Sequence, residues 1–232
     1  MLKGKKILVT SGGTQEYIDD VRVLTNISSG RLGAIIAEKL AEDYGAEVHY
    51  VHARTAVMPG IIPTGIQCKF HKVTTAMEAF SVMMSLVPEM DAVIHCMAVS
   101  DFTFKRDRAL KCKSANPQAF IDFMRDTITV NPKIISEIKN WNPKVKLIGF
   151  KFEVGLDHEE LLALAQSSIQ KNGCDMVIAN DKLEMIRERT HVAYAVLPDD
   201  NTNVVKMMGK EKIAETIGTF LSASFSCDGL EI

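Results

Sequence analysis

Short apolar runs alternate along this chain with longer stretches whose apolar positions recur at helical spacing. Lys6–Val9 predicts a first buried strand. Leu32, Ile35, Ile36 and Leu40 share one face of a helix predicted over Leu32–Tyr44, with Gly45 as its stop. Glu47–His52 predicts a second strand, and Pro59, Gly60, Pro63 and Gly65 punctuate the loop that follows. Cys68–Val73 reads as a strand, Thr75–Leu86 as a helix, and Asp91–Met97 as a buried strand running into the turn Ala98–Phe102. Thr103–Asn131 breaks the rhythm: it is charged and irregular, and holds Lys105, Arg106, Arg108, Lys111 and Lys113. The alternation resumes with a helix over Pro132–Asn140, a strand over Val145–Phe152, a helix over Asp157–Asn172 and a strand over Met176–Ala179. His191–Leu197 and Asn203–Met207 predict a hairpin, and Lys210–Phe225 a closing helix.

Strands separated by helices of this length predict an α/β fold of the Rossmann-like, doubly wound kind, with a mainly parallel sheet flanked by helices. Ligands of such sheets bind beyond the carboxyl ends of the strands. Four predicted strand ends carry polar or glycine residues: Ser11–Thr14, Ala98–Asp101, Gly149–Glu153 and Ala179–Asp181. The first runs through Gly12 and Gly13. A few residues later Asn26, Ser28, Ser29 and Gly30 lead into the first helix. A helix start exposes unpaired N–H groups and partial positive charge, so the two turns together read as one anion site. An ordinary strand–turn–helix with a serine cap would have a similar sequence.

Composition narrows the function. Lys plus Arg number 27 and Asp plus Glu 29, giving a net charge of −2, which argues against a sequence-nonspecific nucleic-acid binder. No apolar run approaches the roughly 20 residues of a membrane span. The five cysteines form no C-x-x-C pair, which fits reduced thiols and a cytoplasmic protein. Three nucleotide signatures are absent. Gly4-Lys5 and Gly209-Lys210 are not followed by Ser or Thr, so there is no P-loop. The first turn lacks G-x-G-x-x-G, and no tyrosine has a lysine four residues on, so a nicotinamide enzyme is disfavoured. Asp101 stands where a carboxylate could hold Mg²⁺, although a turn cap explains it equally. Lys111 and Lys113 could close over a triphosphate, or form a solvated charge run. Arg22 and Arg31 flank Asn26 as candidate phosphate forks, or as surface ion-pair partners of nearby acids.

Three segments together resemble the phosphopantothenate–cysteine ligase family. They are Thr10–Thr14 with Ile18-Asp19-x-Val21-Arg22 and Asn26-x-Ser28-Ser29-Gly30-x-x-Gly33; Met97–Phe102 with Lys111-x-Lys113; and Gly149-Phe150-x-x-Glu153 with Asp175-x-Val177-x-Ala179-Asn180-Asp181. The resemblance covers nearly the whole chain. It implies one ligase domain over residues 1–232, with a lid and dimer-contact segment near 103–147, in a free-standing bacterial-type enzyme. It also implies a homodimer, Mg²⁺ as cofactor, and 4′-phosphopantothenate, L-cysteine and CTP as substrates, with no nucleic acid or membrane partner. The carboxylate would attack the α-phosphate of CTP, and cysteine would then displace CMP from the acyl-cytidylate.

By the same resemblance Gly12, Gly13, Ser28, Ser29 and Gly30 would cradle phosphates. Ala98, Phe150, Ala179, Asn180 and Asp181 would line the base and ribose pocket. Asp101 would orient Mg²⁺ on the nucleotide, and Lys111, with Lys113 on the lid, would contact the reacting phosphate. Asn26 would donate to the acyl group, and Arg22 would bind the substrate phosphate, from the partner subunit in one arrangement. Gln15, Tyr17, Asp20, Ser100, Phe102 and Ser114 depart from the family's usual residues. A nucleotide-sensing module without turnover is the alternative function, and an NADP-dependent reductase a weaker one.

Overall fold

The computed structural model describes residues 1–60, 68–105, 116–198 and 200–227. In chain order the elements are β1 (Lys6–Ser11), β2 (Gln15–Tyr17), β3 (Val23–Thr25), α1 (Arg31–Glu42), β4 (Glu47–Ala53), β5 (Cys68–Val73), α2 (Ala76–Leu86) and β6 (Ala92–His95). There follow β7 (Phe102–Phe104), α3 (Pro117–Thr127), β8 (Ile128–Val130), α4 (Ile134–Trp141), β9 (Lys146–Glu153) and α5 (His158–Asn172). The chain continues through β10 (Met176–Asp181), α6 (Lys182–Arg187), β11 (Val192–Leu197), β12 (Asp200–Met208) and α7 (Lys210–Cys227).

Strand β1 is apolar at Ile7, Leu8 and Val9, all fully buried, because both its faces are covered. Each such side chain contributes about 2 kcal/mol by leaving water. Ile7 and Val9 join the cluster with Ala34, Ile36 and Leu40 of α1, whereas Leu8 joins Ala79 and Met83 of α2 on the other face. The sheet order is β12-β11-β10-β9-β6-β1-β4-β5. Strands β5 to β10 across this order are parallel, and β11 and β12 close one edge as the expected antiparallel hairpin. The chain steps from β1 to β4 on one side and returns through β5 and α2 to β6 on the other side of β1. The doubly wound fold is therefore present, and the order reverses between β1 and β6, where such sheets open a crevice.

The irregular stretch is more ordered than its sequence predicts. Phe102–Phe104 and Ile128–Val130 pair as an antiparallel two-stranded sheet, and α3 between them starts at Asn116, whose side chain accepts from Gln118 N and Ala119 N. A second small sheet, β2 with β3, arises within the first connection. α4 lies inside the expected lid segment, yet its Ile134 and Ile138 are buried in the main core.

Helix α1 lies hard against the end of β1. A Cβ added at Gly33 would meet Ser11 Oγ at 2.5 Å and Ser11 Cβ at 2.7 Å. Gly33→Ala should therefore cost about 1–3 kcal/mol through overpacking. Urea unfolding would show this as a lower midpoint at unchanged slope; an unchanged midpoint would mean that the helix has room.

Candidate active site

Three loops meet beyond the carboxyl ends of β1 and β6. Ala98 N donates to Gly12 O at 2.8 Å, Thr14 N to Ala98 O at 3.2 Å, and Ser100 N to the Thr14 hydroxyl at 2.9 Å. Deeper in, Thr10 Oγ1 accepts from Met97 N at 3.0 Å and shares a hydrogen bond of 3.1 Å with His95 Nδ1. The loop 26–30 lies over this junction. The Ser11 hydroxyl donates to Gly30 O at 2.8 Å, and the Asn26 amide donates to Ala98 O and Val99 O at 3.4 and 3.2 Å. The two turns read as one anion site in the sequence are thus in direct contact.

Gly30 precedes α1 with φ +73°, a left-handed conformation that glycine adopts without strain. It provides no side-chain cap; Arg31 N donates to Ser29 Oγ at 3.4 Å, and the next N–H groups of α1 open outward. They open on a cleft of about 350 Å³. Ser28, Ser29, Gly30 and Arg31 form one wall, Phe150, Phe152 and Asn180 another, and His191 and Lys210 a third. No carboxylate is among these described lining residues. Burial, reinforced by the charge of Lys210, pushes His191 down to about 4, so its imidazole is neutral at neutral pH. Burial raises the Cys96 thiol, also in the lining, to about 12. That thiol stays protonated, which excludes it as a nucleophile. The formal charge of the lining is therefore carried by Arg31 and Lys210, and it is positive.

The expected site residues divide. Ser28, Ser29, Gly30, Ala98, Phe150 and Asn180 come together in the cleft. Gly12 and Gly13 are buried at the loop junction and are not among the lining residues; they support the overlying turn instead. Ala179 and Asp181 must be reassigned. Parallel pairing sets Ile178 beside Phe150 and Asn180 beside Phe152, so these share the cleft face. Side chains alternate along a strand, which turns Ala179 and Asp181 to the opposite face. Asp181 is there consumed by four backbone donors: Leu183 N and Glu184 N on Oδ1, Gly155 N and Leu156 N on Oδ2. These bonds outweigh the cost of burial and hold its carboxyl below the usual range.

Asp101 is exposed, pairs with Lys133, and lines neither this cleft nor the cavity described next. Among the described residues no group of three or more His, Cys, Asp or Glu converges to hold a metal. Arg22 lies on the β2–β3 hairpin, outside the cleft. Its guanidinium pairs with the buried Asp19 at 3.1 Å and stacks over Phe120 of α3 at 5.2 Å. Asn26 spends its amide protons on the Ala98 and Val99 carbonyls, so it ties loops together rather than offering a free donor. Lys111 and Lys113 lie outside the described residues.

A second cavity of about 320 Å³, which the sequence reading missed, shares Phe150 with the cleft. Lys133, Lys151 and Lys171 line it with Ser136, Ser167 and Asn172, and no carboxylate is among its described lining residues. These lysines come from the N-cap of α4, from β9 and from α5, so sequence spacing gives no hint that they meet. Lys171 at the end of α5 is the one signal that could have been read, since helix C-termini attract cations.

The profile of the DNA/pantothenate metabolism flavoprotein C-terminal domain matches residues 2–224. The coenzyme A biosynthesis bifunctional protein CoaBC of Thermococcus kodakarensis is 36% identical over 218 residues, 93% of this chain and 50% of that protein. The CoaBC of Methanocaldococcus jannaschii is 35% identical over 179 residues, 77% of this chain and 41% of that protein. The chain thus spans half the length, or less, of these curated relatives. Among solved structures, the DNA/pantothenate metabolism flavoprotein from Streptococcus pneumoniae is similar with a TM-score of 0.77 and 34% identity, covering 95% of this chain and all of that one. The C-terminal domain of a CoaBC is similar with a TM-score of 0.74 and 25% identity, covering 97% of each.

Burial holds His95, at the loop junction, down to about 4, below an ordinary 6.5. The unfolded chain therefore binds more protons between those values, and stability falls as pH drops through that window. His191, His49 and His71 are shifted in the same direction. His95 alone should account for about 3 kcal/mol between pH 6.5 and 4. Unfolding free energies against pH should show this slope, and His95→Asn should reduce it by the His95 share, leaving that of the other three histidines.

Proposed function

Because the chain belongs to the DNA/pantothenate metabolism flavoprotein C-terminal domain family, we propose that it joins 4′-phosphopantothenate to L-cysteine, using CTP. One observation carries the reading: the start of α1, preceded by Ser28-Ser29-Gly30 with no side-chain cap from Gly30, opens on a cleft whose described lining carries only positive formal charge. Such a cleft suits a polyphosphate. It also suits chemistry that needs no protein thiolate, since burial keeps the Cys96 thiol protonated.

A free carboxylate is a poor acylating agent because its leaving group would be oxide. In the proposed reaction one pantothenate carboxylate oxygen attacks the α-phosphorus of CTP. The bond from that phosphorus to the bridging oxygen breaks, and pyrophosphate departs with the electron pair. The amine of cysteine then attacks the acyl-cytidylate, expels CMP and loses a proton to solvent. The chain's contribution is positioning and charge compensation. Backbone N–H groups of the α1 turn and the Ser28 and Ser29 hydroxyls hold phosphate oxygens. Phe150, the wall common to both cavities, provides a flat face for the base, and Lys133, Lys151 and Lys171 sit on its far side. Asn26 fixes the turn that carries Ser28 and Ser29.

Mg²⁺, when bound, would screen the triphosphate. Asp101 is exposed and already paired with Lys133, so the residues fit an ion whose shell comes mainly from phosphate and water rather than a protein cage. We also propose a homodimer. Val21 in the β2–β3 turn and Val23, Phe102, Ile128 and Val130 on the two small sheets expose apolar side chains, 63%, 38%, 46%, 43% and 69% accessible. A patch of this kind marks an interaction surface. Arg22 on that hairpin would then approach the cleft of the partner subunit. The same reading puts the protein in the cytoplasm, where thiols stay reduced; no described helix is long and apolar enough to cross a membrane.

The deciding experiment incubates the protein with phosphopantothenate, L-cysteine, Mg²⁺ and either CTP or ATP. CMP and pyrophosphate should form with CTP, and only when phosphopantothenate is present. ADP or free phosphate would instead indicate an acyl-phosphate route, and no product with either nucleotide would overturn the ligase reading. In the same assay Asn26→Asp should cut amide formation by about a hundredfold, because a carboxylate cannot donate to the Ala98 and Val99 carbonyls and the phosphate-holding turn shifts. For the dimer, Val130→Asp should convert the sedimenting species to a monomer with unchanged circular dichroism; a wild type that sediments as a monomer would remove this part.

A further inference from the structure

Helix α7 supplies the wall of the cleft that faces the α1 turn. It runs for 18 residues from Lys210, and Gly209 before it donates its N–H to His191 O at 2.8 Å. Its axis lies beside that of α1 and points the same way. The Lys210 end and the Arg31 end share the cleft, while the Tyr44 hydroxyl, past the far end of α1, donates to Glu215 O at 3.0 Å. Two helix N-termini therefore converge on one cleft.

Two observations beyond helix direction mark this wall as a ligand surface. Lys210 is half-buried, lines the cleft, and has no carboxylate partner among the described residues. Asn180 is 94% buried, since only 6% of it is accessible, and it too lines the cleft. Its amide nitrogen meets only the Met185 sulfur, at 3.3 Å, and its amide oxygen has no partner among the described residues. A thioether is a weak acceptor, so this amide on the cleft face of β10 keeps hydrogen-bonding capacity for a ligand. His191 beside Lys210 is neutral, so the positive charge of this wall is that of Lys210 alone.

From this geometry we infer that Lys210 and the start of α7 hold the diphosphate portion of the nucleoside triphosphate, opposite the α1 turn, and receive the departing pyrophosphate. The inference rests on the nucleotidyl-transfer reading of the cleft. As the bond between the α-phosphorus and the bridging oxygen breaks, the electron pair goes to that oxygen. A fixed ammonium beside it compensates the charge without giving up a proton. Arg31 and Lys210 then stand at the two sides of the polyphosphate. This explains why the cleft has cations on opposing helix starts and apolar residues between.

The test is direct binding, measured by calorimetry on the intact chain with inorganic pyrophosphate and, separately, with CMP. Lys210→Ala should weaken pyrophosphate binding by about ten- to a hundredfold, the value of one charge-assisted contact, and leave CMP binding unchanged. Lys210→Arg should restore most of the loss. In turnover, Lys210→Ala should raise KM for CTP and lower kcat, a loss that a merely structural lysine would not confine to triphosphate-dependent steps. Equal pyrophosphate affinity in wild type and Lys210→Ala, or a parallel loss of CMP affinity, would overturn the inference. The binding arms need no turnover. A wild type that binds pyrophosphate through Lys210 yet forms no amide product would therefore strike the ligase reading alone.

Discussion

The structure depends on one seam, where β1 and β6 lie side by side and then part. Sheet order reverses there. The strands stay joined past their regular ends through the bridge of Gly13 with Ala98 and the bonds Ala98 N to Gly12 O and Thr14 N to Ala98 O. Two parallel strands whose following chains leave to opposite faces must open a gap above themselves. Small residues at 11–14 let the loop 26–30 settle into that gap instead of over it. Everything that gives the cleft its shape, from the Asn26 tether to the direction of α1, is fixed relative to this seam.

Long-range order follows from short-range chemistry more readily in some parts of this chain than in others. The central strands and helices were legible because each is long enough for its periodicity to show, and because parallel strands buried on both faces read as continuous apolar runs. The two small sheets were not legible. Each of their strands has three residues, and Phe102–Phe104 finds its partner at Ile128–Val130, beyond an entire helix. Helix α3 did have a signal, Asn116-Pro117, an N-cap followed by proline at the first helical position. The charged residues around it hid that signal.

At the site, the glycine and serine turns were legible because only a few residue types suit a tight, anion-facing backbone. What the sequence could not give was which side of a strand each residue faces. Ala179, Asn180 and Asp181 are consecutive, and only the middle one reaches the cleft, because pairing with β9 sets its register. Asp181 shows the other half of the difficulty. A carboxylate at a strand end looks functional, yet here four backbone N–H groups take it, and it staples the entry of α5 to that of α6. The lysines that line the second cavity were beyond reach for a different reason: three separate elements supply them.

The side-by-side packing of α1 and α7 has a consequence of its own. Parallel neighbouring helices align their dipoles in the repulsive sense, and here both positive ends emerge within one small volume. With Arg31 and Lys210 at the two ends, positive potential gathers there, offset in part by Glu211 in the first turn of α7. A polyanion spanning the two ends relieves that tension. Occupancy should then reach beyond the groups it touches, tightening the contact between the two helices along their length and making the loaded protein a more rigid body than the empty one.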